Sequence, residues 1–339
     1  MASRQEFSLG VMTRETAAKL IKNVFSDLIM GDYITFGFQG GEPGLAGLDF
    51  FSFFVEEAKK AAAPKVRINY AFQTNGLMMN EDWCTFFKEN NFLVGLSLDG
   101  DAALHNKNRT DNNGKGTFSR VMGAKKLLDR HGVEHNILCV LTSDGARRAK
   151  RIWDFIVREN IRYVQFIPCL EPLGEDGDSS KSLYALTSEK FYRFYKDLFP
   201  HWKREAQKGN LIVIRLFEDL AALMLFGRPI TCGVSGRCSP QIVVEADGSV
   251  HPCDFYVLDE YRVGNLSEQS LQEVFEAVVK SGFIQEGAQM PEWCKACVHN
   301  SWCRGGCKRM ARAVYGENCG MRVFLDECLN ELLLIYRTV

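Results

Sequence analysis

Short apolar runs alternate with amphipathic stretches along the first two thirds of the chain. Five of these runs have the length of strands, and helical periodicities fill the intervals between them. The predicted strands cover residues 33–38, 66–72, 92–98, 136–142 and 163–168. The predicted helices cover residues 11–30, 47–62, 80–90, 118–131, 146–159, 187–206 and 216–226. Continuous apolar strands that alternate with helices are typical of a parallel sheet covered by helices, so the pattern predicts an α/β fold.

The last third of the chain has a different pattern, in which cysteines, glycines and turns dominate. One hairpin is predicted over residues 241–251, because an Asp-Gly pair separates its two apolar arms. A final amphipathic helix is predicted over residues 324–336, with its leucines packed on the core. The change of pattern predicts two domains, residues 1–227 and residues 228–339.

Charge and hydropathy narrow the possible functions. Lys and Arg number 41 against 42 Asp and Glu, so the net charge of −1 offers no field for nucleic acid or an anionic membrane. The first ten residues contain no apolar signal segment. The longest apolar stretch, residues 211–226, is interrupted by three charged side chains, so no membrane span is expected. We therefore expect a soluble cytoplasmic protein, in which free thiols favour metal ligation over disulfides.

Twelve cysteines occur in the chain, and the last nine are crowded into its final third. Thiolates at short, irregular spacings are the ligands of zinc or of iron–sulfur clusters. Spacing alone leaves these two alternatives open. The remaining three cysteines, which fall in the α/β part, are predicted to be structural: Cys84, Cys139 and Cys169.

The order C-x9-G-x4-C, C-x2-C-x5-C-x3-C and a final Cys resembles the SPASM domain of radical S-adenosylmethionine (SAM) enzymes that modify peptides. The resemblance implies two auxiliary [4Fe–4S] clusters. The implied ligands of the first cluster are Cys232, Cys238, Cys253 and Cys307. The implied ligands of the second cluster are Cys294, Cys297, Cys303 and Cys328. Cys328 is preferred as the last ligand because it is expected to open the terminal helix, and Cys319 is the alternative.

Gly40-Gly41-Glu42-Pro43 follows the first predicted strand and resembles the GGEP motif of the radical SAM partial (β/α) barrel. The turns at residues 73–76, 95–100 and 105–109 also match that barrel. The resemblance implies contacts to SAM from Gly41, Ser97, Arg109 and Leu170. A guanidinium suits the SAM carboxylate, a hydroxyl suits its ribose or carboxylate, and an apolar side chain suits adenine. The alternative for Ser97 is a strand-end hydroxyl that bonds its own backbone. The alternative for Arg109 is a surface ion pair.

Stretches in both predicted domains resemble anaerobic sulfatase-maturating enzymes. They are residues 38–43, 92–97, 136–140, 165–167 and 248–259. The resemblance implies oxidation of a sulfatase Cys or Ser to formylglycine, with a 5′-deoxyadenosyl radical that removes a β-hydrogen. It also implies Asp254 as the base and a reducing partner such as flavodoxin or ferredoxin. The alternatives are another SPASM peptide maturase and, for Asp254, a carboxylate that only accepts backbone bonds in its turn.

The radical SAM cluster requires Cys-x3-Cys-x2-Cys, and this spacing is absent from the sequence. In the family the motif follows the first barrel strand, upstream of the first helix predicted here. We therefore expect a partial barrel that lacks its first strand, through a late start site, a fragment or a truncated gene. Such a chain is expected not to cleave SAM reductively. A non-catalytic iron–sulfur protein is the corresponding alternative function.

Overall fold

A six-stranded, all-parallel sheet forms the first part of the computed structural model, which describes residues 9–173, 183–287 and 290–338. The strands are β1 (Tyr33–Phe38), β2 (Arg67–Thr74), β3 (Phe92–Ser97), β4 (His135–Leu141), β5 (Tyr163–Pro168) and β6 (Val213–Ile214). They lie side by side in chain order, as successive right-handed strand–helix–strand units require. The predicted α/β fold is confirmed, and β6 is an additional strand.

Helices join the strands and cover one face of the sheet. They are α1 (Arg14–Ser26), α2 (Leu48–Ala61), α3 (Glu81–Glu89), α4 (Ala102–Asn108), α5 (Phe118–His131), α6 (Ala149–Arg158), α7 (Ser188–Gln207) and α8 (Arg215–Phe226). Asn80 and Asp101 accept backbone N–H bonds at the starts of α3 and α4, which fixes where those helices begin after their strands. Only α4 was not predicted, because its seven residues are too few for a clear periodicity.

The two faces of the sheet differ in chemistry. The helix-covered face is aromatic: the ring centroid of Phe72 lies 5.1 Å from that of Phe51, and the Tyr70 and Phe92 rings stack at 4.9 Å. The strand register places polar side chains together on the opposite face: Thr35, Asn69, Gln73, Asn136 and Gln165. Parallel sheets are usually covered on both faces, so a polar and partly open face indicates a binding surface.

A small cysteine-rich part follows α8. Its antiparallel sheet consists of β7 (Val243–Val244), β8 (Ser249–His251) and β9 (Gly264–Asn265). The predicted hairpin is β7–β8, and β9 was not predicted. The helices are α9 (Leu271–Lys280), α10 (Phe283–Gly287), α11 (Glu292–Lys295), α12 (Asn300–Cys303) and α13 (Gly320–Thr338).

The terminal helix α13 starts four residues earlier than predicted and packs against α7 and α8 of the first part. Its Phe324 ring stacks on Phe217 at 5.6 Å, so the predicted return of this helix to the core is present. The division at residue 227 stays a prediction, although α8 ends there with Gly227 in a left-handed conformation. Among the described residues, no helix combines the length and apolar character that a membrane span requires.

Candidate functional site at the sheet edge and the thiol groups

The turn after β1 provides an open, glycine-lined edge. Gly40 and Gly41 have φ angles of 90° and 57°, which favour glycine, and a Cβ at Gly41 would meet no described atom within 4 Å. Glu42 turns back into the fold and accepts from Thr74 Oγ1 at 2.9 Å and from Asn75 N at 2.7 Å. The carboxylate therefore joins the ends of β1 and β2 and leaves the glycine backbone free to approach a ligand.

A buried ion pair lies at the end of β3. Asp99 accepts from Arg109 Nε at 2.6 Å and Nη2 at 3.2 Å, and its Oδ1 also accepts from Val140 N at 2.8 Å. The Arg109 side chain keeps 25% of its surface exposed. This fork fixes the plane of the guanidinium and leaves its remaining nitrogen available at the sheet edge. The pair is not the surface ion pair that was the alternative for Arg109, because the partner, Asp99, is buried.

His105 is linked by hydrogen bonds to the backbone of both members of this ion pair, Asp99 and Arg109. Asp99 N donates to His105 Nδ1 at 3.3 Å, and the other ring nitrogen lies 3.0 Å from Thr117 Oγ1. Thr117 Oγ1 in turn donates to Arg109 O at 3.0 Å. Because Nδ1 accepts, the neutral ring carries its proton on Nε2 and donates to Thr117. The chain of bonds requires an uncharged imidazole.

We expect stability to fall as the pH is lowered, because His105 is fully buried. Burial lowers the pKa of His105 to about 4, an effect that the Asp99 charge opposes and the Arg109 charge reinforces. Between about pH 6.5, the usual pKa of histidine, and about pH 4, this histidine is protonated in the unfolded chain but not in the folded one. The free energy of unfolding therefore decreases as the pH falls through this range. The free energy of unfolding should be about 2 kcal/mol lower near pH 5 than near pH 8.

Urea unfolding of the metal-free chain at several pH values measures this loss. His105→Gln keeps one acceptor and one donor but has no proton to gain, so its stability should be flatter over the same range. Equal pH slopes for the two proteins would contradict the assignment.

The four predicted SAM contacts all lie along the carboxyl edge of the sheet. Gly41 follows β1, Ser97 ends β3, Arg109 is tied to the end of β3, and Leu170 follows β5. Parallel strands bring their carboxyl ends to one edge, so these residues share one surface. Ser97 is half-buried and lies in register with Leu138 on the polar face.

The first thiol group lies beside β8. Its members act electrostatically on one another, and Asp254 acts on three of them. The group consists of Cys232, Cys238, Cys253 and Cys307. Asp254 is half-buried, and its Oδ1 lies 3.6 Å from Cys253 Sγ. The structure thus brings the predicted base and the four predicted ligands of one cluster together.

The second thiol group lines one pocket between α11, α12 and the start of α13. The members are Cys294, Cys297, Cys303 and Cys319. Cys303 lies close enough to Cys319, Cys294 and Cys297 that the ionised form of each would raise its pKa, and Cys319 has the largest effect of the three. Cys319 directly precedes α13, where Arg322 N donates to its sulfur at 3.3 Å. Helix N–H groups favour a thiolate at this position.

Cys328 does not line this pocket, so the structure does not bring it together with the three other predicted ligands of the second cluster. The prediction rested on Cys328 opening the terminal helix, and in the structure that helix opens at Gly320. Eight further residues place Cys328 about 12 Å along the helix axis. Burial, reinforced by the Glu327 and Glu331 charges, raises the pKa of Cys328 to about 11. Cys319 replaces it as the fourth thiol.

Both groups have the donor chemistry of iron–sulfur sites. Burial raises the pKa of Cys253 and of Cys303 to about 12, so the free thiols are protonated near neutral pH and only a bound cation would hold them as thiolates. Backbone N–H groups of Phe255 and Gly305 partly offset that effect at the same two sulfurs. Such N–H···S bonds are typical around cluster sulfurs. Over residues 9–173, 183–287 and 290–338, no three His, Cys, Asp or Glu side chains converge as single-ion ligands do.

Side chains that the sequence did not single out hold the two thiol groups in place. Buried Asp219 accepts from Ile230 N at 3.0 Å and from Thr231 N at 2.8 Å, just before Cys232. Fully buried Tyr315 donates its hydroxyl to Gly233 O at 2.9 Å. No local sequence signal marks these roles, because each partner lies far away along the chain.

The cysteine-rich part also contacts the sheet edge. Arg312 forms an ion pair with Glu171 at 3.0 Å, and Arg309 donates to the Glu171 carbonyl. Glu171 follows Leu170 at the end of β5, and Arg309 lies two residues after Cys307. The cysteine-rich part therefore packs against the end of the sheet at Glu171, one residue from Leu170.

Comparison with known proteins identifies this site. Residues 232–298 match SPASM, an iron–sulfur cluster-binding domain. A cysteine-type anaerobic sulfatase-maturating enzyme of Clostridium novyi is 40% identical over 96% of this chain and 86% of its own length. A serine-type enzyme of Klebsiella aerogenes is 34% identical over 86% of this chain and 72% of its own length.

Solved structures agree with these relatives. Native anSMEcpe with bound AdoMet superposes with a TM-score of 0.91 at 37% identity, over 98% of this chain and 91% of that one. The fold is that of a radical SAM oxidoreductase with a SPASM domain. Within that class, the chain belongs to the anaerobic sulfatase-maturating enzymes. The predicted partial barrel and the family resemblance are confirmed.

Proposed function

We propose that this chain carries the SAM-binding edge, the base and the auxiliary-cluster ligands of an enzyme that oxidises one sulfatase side chain to formylglycine. The observation that supports it most is the 40% identity to a cysteine-type enzyme over almost the whole chain, thiol groups included. The serine-type relatives are 30–34% identical, which favours a cysteine target. Peptides are bound in two anSMEcpe structures at 37% identity, in agreement with a polypeptide substrate.

SAM would lie along the carboxyl edge of the sheet. The open backbone at Gly41 suits the amino group, Ser97 suits the ribose or carboxylate, and the oriented Arg109 suits the carboxylate. Leu170 offers an apolar surface for adenine. When it is bound beside its own cluster, SAM supplies the 5′-deoxyadenosyl radical that removes a hydrogen atom from the target β-carbon.

Asp254 would accept the proton of the target thiol or hydroxyl. Its place against the first thiol group supports this role, because the electron that leaves the substrate has an acceptor beside the base. One hydrogen atom, one proton and one electron then account for the two-electron oxidation. A cysteine target becomes a thioaldehyde, which water converts to the aldehyde and hydrogen sulfide.

The two thiol groups would each hold one auxiliary [4Fe–4S] cluster. Cys232, Cys238, Cys253 and Cys307 are the proposed ligands of the first. Cys294, Cys297, Cys303 and Cys319 are the proposed ligands of the second. A low-potential donor such as flavodoxin or ferredoxin would supply the electron that SAM cleavage consumes, in the cytoplasm.

The test uses two proteins, because the sequence contains no Cys-x3-Cys-x2-Cys. We expect the 339-residue chain, reconstituted with iron and sulfide and reduced by dithionite, to form no 5′-deoxyadenosine. The same chain joined behind a family segment that carries this triad should form it. The completed chain should also convert a cysteine-containing sulfatase peptide to formylglycine, measured by mass spectrometry.

Asp254→Asn in the completed chain should lower product formation by about two to four orders of magnitude while SAM cleavage persists. Full product formation by this variant would remove the role of Asp254 as base. SAM cleavage by the uncompleted chain would overturn the requirement for the triad. Conversion of an unrelated peptide, but of no sulfatase peptide, would contradict the proposed substrate.

A further inference from the structure

One lysine beside the first thiol group is held in a cage of aromatic rings. Lys308 Nζ lies 3.5 Å from the centroid of the Phe283 ring and 5.0 Å from that of Tyr256. Tyr261 packs against both of these rings, since its centroid lies 5.2 Å from that of Tyr256 and 5.7 Å from that of Phe283. An ammonium over aromatic faces is stabilised electrostatically, and more so where water is excluded.

The position of this charge is fixed. The Lys308 ammonium donates to Phe283 O at 3.3 Å and to Glu286 Oε2 at 3.2 Å, and its side chain is only 22% exposed. Glu286 is 59% exposed, so water screens the counter-charge more than the ammonium. The cage therefore holds a positive charge that its carboxylate partner only partly neutralises.

This charge lies next to the thiol group. Lys308 directly follows Cys307, whose backbone N donates to Gly233 O at 3.0 Å, beside Cys232. The cage also contacts the group through Tyr256, whose backbone N donates to Cys253 O at 3.0 Å. The ammonium, the cage and the thiols thus form one packed unit.

The second thiol group has a weaker arrangement. The cation that acts on Cys319 is Arg322, whose side chain is 60% exposed and paired with Asp326 at 3.6 Å. Lys295, which lies between two cysteines of that group, is 61% exposed and paired with Glu292. Exposed, paired cations are screened by water and salt. The two groups therefore differ in their electrostatic surroundings.

We propose that Lys308 is an electrostatic tuning residue that raises the reduction potential of the cluster held by the first thiol group. The proposal rests on the iron–sulfur assignment made above. Reduction adds one negative charge to a cluster, so a fixed cation beside it stabilises the reduced form more than the oxidised form. The cluster next to Asp254 becomes the better acceptor of the electron that leaves the substrate.

Potentiometric titration followed by electron paramagnetic resonance on the reconstituted 339-residue chain tests this. Lys308→Met keeps the length of the side chain and fits an aromatic cage without a charge. We expect its first cluster to be about tenfold harder to reduce, a downward shift of about 59 mV for one electron. Lys308→Arg should stay near the parent value. Glu286→Gln, which removes the counter-charge, should give a smaller upward shift.

Lys295→Met is the matched control, because it removes a lysine beside the other thiol group. It should leave the potential of the first cluster unchanged. An unchanged potential in Lys308→Met with full iron content would overturn the proposal, and so would a downward shift in Glu286→Gln. If Lys308→Met loses iron, Glu286→Gln decides by the sign of its shift.

The proposed function fails separately from this inference. Clusters that assemble and shift as expected, in a completed chain that forms no formylglycine, would leave the tuning role intact. Zinc in place of iron and sulfide would end both.

Discussion

Cys319→Ala is expected to remove one of the two auxiliary clusters, whereas Cys328→Ala is expected to leave both. Cys319 lines the pocket of the second thiol group and receives an N–H bond from the start of α13. Cys328 lies deeper along that helix, among glutamates. Iron in the Cys319→Ala protein should fall from about eight to about four atoms per chain, with a matching loss of sulfide.

Cys328→Ala is the matched control, since it removes a thiol from the same helix. It deletes a small buried group, so it should cost about 1–2 kcal/mol of stability and no iron. Loss of four irons in Cys328→Ala together with full iron in Cys319→Ala would restore the sequence-based assignment. Loss in both variants would point to the packing of α13 rather than to ligation, and thermal unfolding of the metal-free proteins separates that case.

The preference for Cys328 over its alternative, Cys319, has an identifiable physical cause. Glycine usually marks the end of a helix, so the sequence around Gly320 favours a later start. In the structure Gly320 N donates to Ser188 Oγ at 2.6 Å, and a Cβ at Gly320 would come within 2.1 Å of Ser188 O. A distant contact with α7 therefore requires glycine at the first turn of α13. Local helix propensity cannot indicate this contact between Gly320 and Ser188.

The sheet, by contrast, could be predicted. Its longer strands are apolar runs in the sequence, and they pack against the helices on one face. Parallel strand order then puts the turn with Gly41 after β1 and Ser97 at the end of β3 on the same edge, where the bond to Asp99 holds Arg109. The two-residue strands β6 and β9 are too short for any periodicity. The Lys308 cage could not be predicted either, since its rings lie 25 to 52 positions before it in the chain.

The thiol groups show the same division. Their cysteines are predictable because ligand chemistry is local to each residue type and spacing. Their relative placement depends on long-range contacts, such as those of Asp219 and Tyr315 with the loop around Cys232. Spacing thus indicates how many clusters to expect, and packing decides which thiols share one.

Gly306→Ala should destabilise the cysteine-rich part severely. Gly306 has a φ of 60°, and a Cβ there would lie 2.0 Å from Cζ of Tyr315. The Tyr315 ring is fully buried and its hydroxyl donates to Gly233 O, so it cannot move aside without breaking that bond. We expect a loss of at least about 3 kcal/mol in the free energy of unfolding, measured by urea titration, and reduced iron content.

Gly227→Ala separates backbone strain from the clash. Gly227 has a similar φ of 76°, but a Cβ there would meet no described atom within 4 Å, so only about 1–2 kcal/mol should be lost.

Removing the ring should also relieve Gly306→Ala, so the double variant with Tyr315→Ala should be more stable than the two single losses predict. Strict additivity would show that the ring is not what excludes a side chain at Gly306. Equal losses at Gly306 and Gly227 would mean that strain alone accounts for the effect, and that Tyr315 does not fix the loop between Cys303 and Cys307.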